Sequence, residues 1–168
     1  MRESVAFSLN VPTPEDMRRL GAALGSALAS GAPGVRLVGI EGDLGAGKTV
    51  FVSGVLAALG VAGSVRSPTY TLVEPYECPA RTLYHLDLYR LADPQEVEAL
   101  GVRDLMSGDA VLLVEWPERA GGALPPADLA VRITYMGDGD AGRVVGIEGR
   151  GPAGRDLAAA LADAVKAQ

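Results

Sequence analysis

The stretch that decides the fold is GIEGDLGAGKTVF, from Gly39 to Phe51. Its segment Gly42–Thr49 matches the pattern G-x-x-x-x-G-K-[ST] at every position. In this pattern the glycines let backbone N–H groups turn inward around a phosphate, and the following helix adds the partial positive charge of its N-terminus. The apolar stretch Val35–Ile40 predicts a buried strand before the loop, and Val50–Leu59 predicts a helix after it. The motif therefore lies in the strand–loop–helix context that it requires.

The loop supplies a set of predicted nucleotide-binding residues: Gly42, Gly45, Ala46, Gly47, Lys48, Thr49 and Val50. We expect Lys48 to reach the β- and γ-phosphates of bound ATP, and the Thr49 hydroxyl to bind Mg²⁺. The choice of lysine supports this, because only Lys48 and Lys166 among the 15 basic residues are lysines. A compact ammonium on a flexible stem fits a phosphate cradle better than a planar guanidinium does.

Length and composition narrow the class of protein. With 168 residues, 48% of them hydrophobic, the chain is expected to form a single domain, residues 1–168. It has no apolar run near the ~20 residues of a membrane span, no secretory signal pattern and only one cysteine, which favours the cytoplasm and a protein without a structural metal. The net charge is −6 and no Lys/Arg cluster is present, so any link to nucleic acid is expected to run through partner proteins.

Strands and helices alternate through the first half of the chain, which predicts an α/β fold with a mostly parallel sheet flanked by helices. The predicted strands are Ser4–Leu9 at an edge, Val35–Ile40, Thr71–Tyr76, Arg81–Tyr89 and Ala110–Val114, followed by an antiparallel hairpin of Leu129–Tyr135 and Arg143–Glu148. The predicted helices begin at Thr13-Pro14, at Val50, at Asp93-Pro94 with a capping-box pattern, and at Arg155.

Two acids end predicted strands, where an α/β sheet presents its ligands. Glu115 ends AVLLVE and Asp87 ends LYHLD, and phosphoryl transfer needs carboxylates of this kind to complete a magnesium shell. The alternative is that each acid caps a strand at the surface. His85, the only histidine, is expected to be a packed strand residue, with a role as partner to a metal carboxylate left open. Trp116, the only tryptophan, is compatible with the core or with an exposed place beside the nucleotide or a partner.

Three further segments carry a family resemblance: SPTYTLVEPY (Ser67–Tyr76), YHLDLYRL (Tyr84–Leu91) and LVEWPE (Leu113–Glu118). Together with GDLGAGKT, and in this order, they closely resemble the TsaE (YjeE) family. Members are bacterial P-loop ATPases required for making threonylcarbamoyladenosine next to the anticodon of certain tRNAs. The resemblance runs from about Gly42 to Pro126, and the predicted N-terminal helix and C-terminal hairpin are compatible with the family's layout.

The resemblance implies roles for particular residues. Thr49, Asp87 and Glu115 would form the magnesium environment, with Lys48, Asp87 and Glu115 as the catalytic groups. Ser67-Pro68-Thr69 looks like the family's switch-type loop, and Trp116 would join it near a partner surface. Family members often carry Thr near the position of Met17, so contacts to the base are not predicted. The resemblance further implies that the protein acts with the TsaD and TsaB proteins and meets tRNA only through that complex.

Three other functions share the phosphate loop. A small-molecule kinase would need an acceptor pocket and a basic lid, and PERAGGALPP offers only Arg119 to a transferred phosphate. A GTPase usually carries N-K-x-D, whereas the only asparagine here is Asn10. A module that binds ATP without cleaving it stays open, because slow intrinsic hydrolysis is expected when a partner completes the site.

Overall fold

The computed structural model describes residues 4–68, 70–138 and 141–168, and seven strands in these residues form one sheet in the order β1-β7-β6-β2-β5-β4-β3. The strands are β1 Val5–Val11, β2 Leu37–Gly42, β3 Val73–Glu77, β4 Thr82–Asp87, β5 Val111–Glu115, β6 Leu129–Tyr135 and β7 Arg143–Gly149. The helices are α1 Pro14–Ala29, α2 Lys48–Ala58, α3 Gln95–Ala99, α4 Val102–Leu105 and α5 Gly151–Lys166, with a 3₁₀ segment at Pro117–Ala123.

The centre of the sheet is parallel and its two sides are antiparallel. β2 pairs in parallel with β5 and β6, and β4 pairs in parallel with β5. β3 closes one side, while β7 and β1 extend the other. β5 is aliphatic up to Glu115, and β2 contributes the buried Leu37, Val38 and Ile40, because the central strands are covered on both faces. The predicted α/β class, the mostly parallel centre and the C-terminal hairpin are confirmed.

Helices cover the two faces of the sheet unequally. α1, α2 and α5 pack on one face, around a core that includes Leu24, Phe51 and Leu161. The short helices α3 and α4 and the 3₁₀ segment cover the other, around Val97 and Val102. The long helices and the phosphate loop thus share one face of the sheet.

Glycines let α1 and α2 touch backbone to backbone. A Cβ at Gly21 would lie 2.1 Å from the carbonyl oxygen of Phe51, and one at Gly54 would lie 2.2 Å from that of Arg18. Side chains at these positions would force the helices apart. α1 therefore holds α2, and with it the end of the phosphate loop, at a fixed depth against the sheet.

Local sequence signals predict the start of α1 correctly, whereas the signal predicted at the start of α3 is not found. Thr13 caps α1 and Pro14 occupies the first turn, as predicted, and Asp16 forms a capping box with Thr13 that was not predicted. The capping box predicted at Asp93 is wrong, because α3 begins at Gln95 without one and spans five residues. The Asp93 side chain accepts a hydrogen bond from the Gln95 backbone N–H at 2.9 Å, whereas the Glu96 N–H, which a capping box would use, bonds to the Asp93 backbone carbonyl.

The remaining differences concern element boundaries. α5 begins at Gly151, four residues before the predicted Arg155, because a proline is tolerated in a first helical turn. β3 begins at Val73, not at Thr71, because Leu72 has φ +65° and its N–H bonds to the Pro68 carbonyl at 2.8 Å in a turn. Within the described ranges, no helix combines the length and the apolarity needed to cross a membrane.

Candidate nucleotide site

The phosphate loop joins β2 to α2 and depends on glycine at two positions. Gly45 has φ +80° and Gly47 has φ +112°, values that strain any residue with a Cβ. The Ala46 N–H bonds back to the Asp43 carbonyl at 3.0 Å, which closes the turn. α2 begins directly afterwards at Lys48, so its first N–H groups lie beside the loop. The local geometry is that of an anion cradle.

Lys48 is folded back onto its own loop. Its ammonium donates hydrogen bonds to the carbonyl oxygens of Gly42 at 2.6 Å and Asp43 at 2.8 Å, and Nζ lies 4.3 Å from the centre of the Trp116 ring. Burial lowers the pKa of Lys48, while the nearby charges of Glu115 and Asp87 raise it by less. A buried ammonium of this kind has few contacts with water, so its charge favours the binding of an anion such as phosphate.

The two predicted carboxylates end neighbouring strands. Asp87 and Glu115 are direct partners in the parallel register of β4 and β5, and only 7% and 3% of their surfaces are exposed. The Thr49 hydroxyl lies 3.1 and 3.2 Å from the two carboxylate oxygens of Glu115. Asp87 accepts hydrogen bonds from the Ser67 hydroxyl and, at 3.0 Å, from the Tyr89 backbone N–H. The sheet therefore brings all three predicted magnesium ligands to one edge.

These groups line a cavity of about 470 Å³ beside the loop, hereafter the acidic cavity. Its wall includes Lys48, Thr49, Asp87, Glu115, Ser67, Tyr89, Arg90 and Trp116. The donor set of one hydroxyl and two carboxylates suits a hard cation such as Mg²⁺, which usually takes the rest of its shell from water and phosphate oxygens. In the described residues, no group of three or more His, Cys, Asp or Glu that could hold a metal ion occurs.

His85 is fully buried and contacts Glu115. Its Nε2 lies 2.5 Å from Glu115 Oε2, and its Nδ1 has no hydrogen-bond partner among the described residues. The short contact fits an Nε2–H that donates to the Glu115 carboxylate. Both sequence interpretations of His85 thus describe it, since it is a packed strand residue and also holds the carboxylate. Between His85 and Thr49, the Glu115 side chain has one well-defined orientation.

The predicted switch segment lies next to the carboxylates. Ser67 bonds to Asp87, and the buried Pro68 offers its carbonyl to Leu72, whereas Thr69 lies outside the described residues. Trp116 is half-buried with φ +59°, and its ring lies 5.0 Å from that of Tyr89. The tryptophan therefore lines the acidic cavity and also packs against the smaller core around Val97 and Val102.

A second cavity of about 270 Å³ lies on the other side of the loop, hereafter the apolar cavity. Its wall includes Val11, Pro12, Thr13, Met17, Val50 and Arg143, and it shares Gly45 and Gly47 with the acidic cavity. Met17 is 2% exposed, and its Cε would lie 3.5 Å from a Cβ built at Gly47. Met17 thus fills space behind the loop, where a hydrogen bond to a base is not available from its side chain.

Several residues around the loop were not predicted to have a role. Tyr89 and Arg90 belong to the quoted YHLDLYRL segment but received no role, although their place after Asp87 was a usable signal. Tyr135 and Arg143, which contact the loop from the hairpin, belong to no motif. Arg119, noted only as a lid candidate, lies with its guanidinium 5.5 Å from the Tyr89 ring and 5.6 Å from the Trp116 ring.

Comparison with known proteins gives one consistent result. A family model described as "Threonylcarbamoyl adenosine biosynthesis protein TsaE" matches residues 11–144. The chain is 51% identical over 102 residues to the tRNA threonylcarbamoyladenosine biosynthesis protein TsaE of Haemophilus influenzae, covering 61% of this chain and 65% of that protein. It is 35% identical over 126 residues to the protein of the same name from Treponema pallidum, covering 75% of this chain and 90% of that one.

The fold is similar to a solved structure as well. The crystal structure of Bacillus subtilis YdiB aligns with a TM-score of 0.76 at 29% identity, and the alignment covers 98% of each chain. The sequence matches are less complete, since the aligned region spans just under two thirds of the Haemophilus influenzae relative.

Proposed function

The chain belongs to the TsaE family, and we propose that it is a Mg²⁺-dependent ATPase subunit needed for threonylcarbamoyl modification of adenosine next to the anticodon of tRNA. The observation that carries the proposal is the meeting of Lys48, Thr49, Asp87 and Glu115 at the acidic cavity beside the loop. A cation for the phosphates and hard oxygen ligands for Mg²⁺ are the parts that phosphoryl transfer needs.

Different residues of this chain bind the phosphates, hold the cation and orient the cation's ligands. Backbone N–H groups of the loop and of the first turn of α2 hold the phosphates, and Lys48 moves from the Gly42 and Asp43 carbonyls to the β- and γ-phosphate oxygens. Thr49, Asp87 and Glu115 would hold Mg²⁺, which when bound neutralises charge on the phosphates. His85 keeps Glu115 in place, and the Ser67 hydroxyl, which donates to Asp87, would orient that carboxylate.

We expect hydrolysis by the protein alone to be slow. Fast phosphoryl transfer needs a positive group on the transferring phosphoryl, and an arginine supplied by a partner is worth roughly 10³–10⁵ in rate. We therefore propose that the TsaD and TsaB proteins stimulate hydrolysis, and that tRNA is reached only through their complex. The net charge of −6 supports contact with proteins in preference to contact with a nucleic acid backbone.

The test is ATP hydrolysis by the purified protein, measured alone and with TsaD and TsaB. Lys48→Ala and Glu115→Ala should abolish the activity. Matched controls are Lys166→Ala, at the only other lysine, and Glu96→Ala, at an exposed glutamate of α3. Both controls should keep the wild-type rate.

The two possible results of this test support different functions. A slow rate that rises sharply with TsaD and TsaB, and that is lost in both site variants, supports the proposal. An absence of stimulation together with an absence of complex formation contradicts it. A screen of small-molecule phosphate acceptors would then test the alternative, a P-loop kinase.

A further inference from the structure

The outer side of the phosphate loop is bound by two side chains of the C-terminal hairpin. The Tyr135 hydroxyl donates a hydrogen bond to the Leu44 carbonyl at 2.9 Å. Arg143 donates from Nε to the Ala46 carbonyl at 3.0 Å and from a terminal nitrogen to the Gly45 carbonyl at 3.4 Å. Three consecutive carbonyls of the loop thus receive donors from a segment about ninety residues away in sequence.

The two side chains form one unit. Tyr135 and Arg143 are direct partners in the antiparallel register of β6 and β7. The Arg143 guanidinium lies 4.2 Å from the centre of the Tyr135 ring, a cation–π distance. We call this pair the hairpin clamp.

Contacts of the hairpin with β1 and β2 fix the position of the hairpin clamp. Ile133, two residues before Tyr135, pairs with Gly42 at the start of the loop. A Cβ at Gly142, the residue before Arg143, would lie 2.9 Å from the Val11 carbonyl oxygen, so the hairpin packs closely on the end of β1. Tyr135 and Arg143 are therefore both held in place by neighbouring strands of the sheet.

A phosphate loop needs outer partners for a simple reason. When consecutive N–H groups turn inward to bind an anion, the carbonyls between them turn away and must be satisfied elsewhere. A glycine-rich loop without such partners samples many conformations, and binding has to overcome that entropy. A Cβ at Gly45 would lie 3.2 Å from the Tyr135 oxygen, which shows how closely the clamp fits the loop.

We propose that Tyr135 and Arg143 are positioning residues that hold the loop at residues 44–46 in its nucleotide-binding shape. This inference rests on the proposed function insofar as the ligand is ATP. Because a pre-formed loop favours ground state and transition state alike, loss of the clamp raises Kd and KM and leaves kcat nearly unchanged. Arg143 also lines the apolar cavity, so its charge lies beside the loop on the side away from the carboxylates.

The experiment compares four variants with the wild-type protein, by calorimetric titration with ATP and Mg²⁺ and by steady-state hydrolysis. Tyr135→Phe keeps the ring under Arg143 and removes one hydrogen bond, so Kd should rise about fivefold. Arg143→Ala removes its bonds to the loop and the ring contact, so Kd should rise about 30-fold. Arg143→Lys should fall between these, because it keeps the charge without the fork. In the double variant Tyr135→Phe/Arg143→Ala the effects should combine to less than their product, since the two side chains act together.

A matched control lies on the same hairpin. Arg132 is paired with Glu41 at 2.9 Å on the opposite face of β6, away from the outer side of residues 44–46. Arg132→Ala should bind ATP as the wild type does. Without ATP all variants should melt within about 4 °C of the wild type, because the contacts are few and partly exposed.

The outcomes separate this proposal from the proposed function. Weaker ATP binding with kcat kept supports the clamp. Wild-type Kd in Tyr135→Phe and Arg143→Ala overturns it, as does a loss of kcat at unchanged Kd. If the wild-type protein binds ATP without hydrolysing it, the proposed ATPase function fails while the Kd series still decides the clamp. If the wild-type protein does not bind ATP, both are overturned.

Discussion

The two cavities beside the phosphate loop differ in chemistry and in how the sequence encodes them. The acidic cavity, of about 470 Å³, contains a lysine, an arginine, two carboxylates and three hydroxyl side chains that belong to quoted motifs. The apolar cavity, of about 270 Å³, is lined mainly by aliphatic residues and prolines from the β1–α1 junction, with Arg143 from the start of β7. The loop residues Gly45, Gly47 and Val50 belong to both walls.

This difference suggests that the two cavities have different roles. Under the proposed function, charged groups at strand ends on the acidic side would act on the transferring phosphate. On the apolar side, packing residues and the proposed hairpin clamp would set the shape of the loop, and with it the affinity for the nucleotide. Substitutions on the acidic side should therefore lower kcat, and substitutions on the apolar side should raise KM. The predictions below test that contrast, beginning with the largest effect.

Asp87→Asn should give the largest loss among the substitutions that follow. The amide keeps the size of the side chain but removes a charge from the predicted magnesium shell, so kcat should fall about 100-fold or more. Half-saturation with Mg²⁺ should move to higher concentration, measured as hydrolysis against Mg²⁺ at saturating ATP. Asp93→Asn, at an exposed acid before α3, is the control. Hydrolysis within tenfold of wild type would remove Asp87 from the proposed site.

His85→Leu should give the next largest effect. Leucine fills much of the same buried space but cannot hold Glu115, and the loss of such a supporting contact typically costs 10–100-fold in activity or metal affinity. We expect kcat to fall by about 30-fold with little change in Kd for ATP. Tyr84→Leu, on the opposite face of the same strand, is the control. An unchanged kcat would mean that Thr49 alone orients Glu115.

Asp87, Glu115 and His85 also show which features of the site can be predicted from the sequence. Asp87 and Glu115 were predictable because each follows an apolar run at a strand end. That they are direct partners depends on the order and register of β4 and β5, which no local pattern encodes. The contact between His85 and Glu115 follows from the same register. Residue types and spacing within one segment were readable, whereas contacts between distant segments were not.

The same limit explains the errors elsewhere. The hairpin was predicted from alternation and a turn, but its contact with the phosphate loop depends on β6 pairing with β2. The capping box at Asp93 was wrong because the Asp93 side chain accepts from the Gln95 N–H, while the Glu96 N–H bonds to the Asp93 backbone carbonyl. Propensity works for isolated elements, and long-range packing decides the rest.

Thr13→Ala should have a moderate effect on the apolar side. The substitution removes the side-chain cap of α1, which is worth about 1 kcal/mol of unfolding free energy, or a fall in Tm of about 2–4 °C. Because Thr13 lines the apolar cavity, KM for ATP should rise by up to about fivefold while kcat stays the same. Thermal melting and steady-state kinetics measure both. A loss of kcat without a change in KM would break the contrast between the two cavities.

Arg119→Ala should have the smallest effect. Its exposed guanidinium lies over the Tyr89 and Trp116 rings, and exposed cation–π contacts are worth only about 0.5–1 kcal/mol. Hydrolysis by the protein alone should therefore change by at most about fivefold, with Arg103→Ala, at an exposed arginine of α4, as control. The lid arginine of a kinase would behave differently, because removing a group that stabilises the transferring phosphoryl costs at least about 10³ in rate. A loss of that size would show that Arg119 reaches the phosphate, and it would favour the kinase alternative over a site completed by a partner.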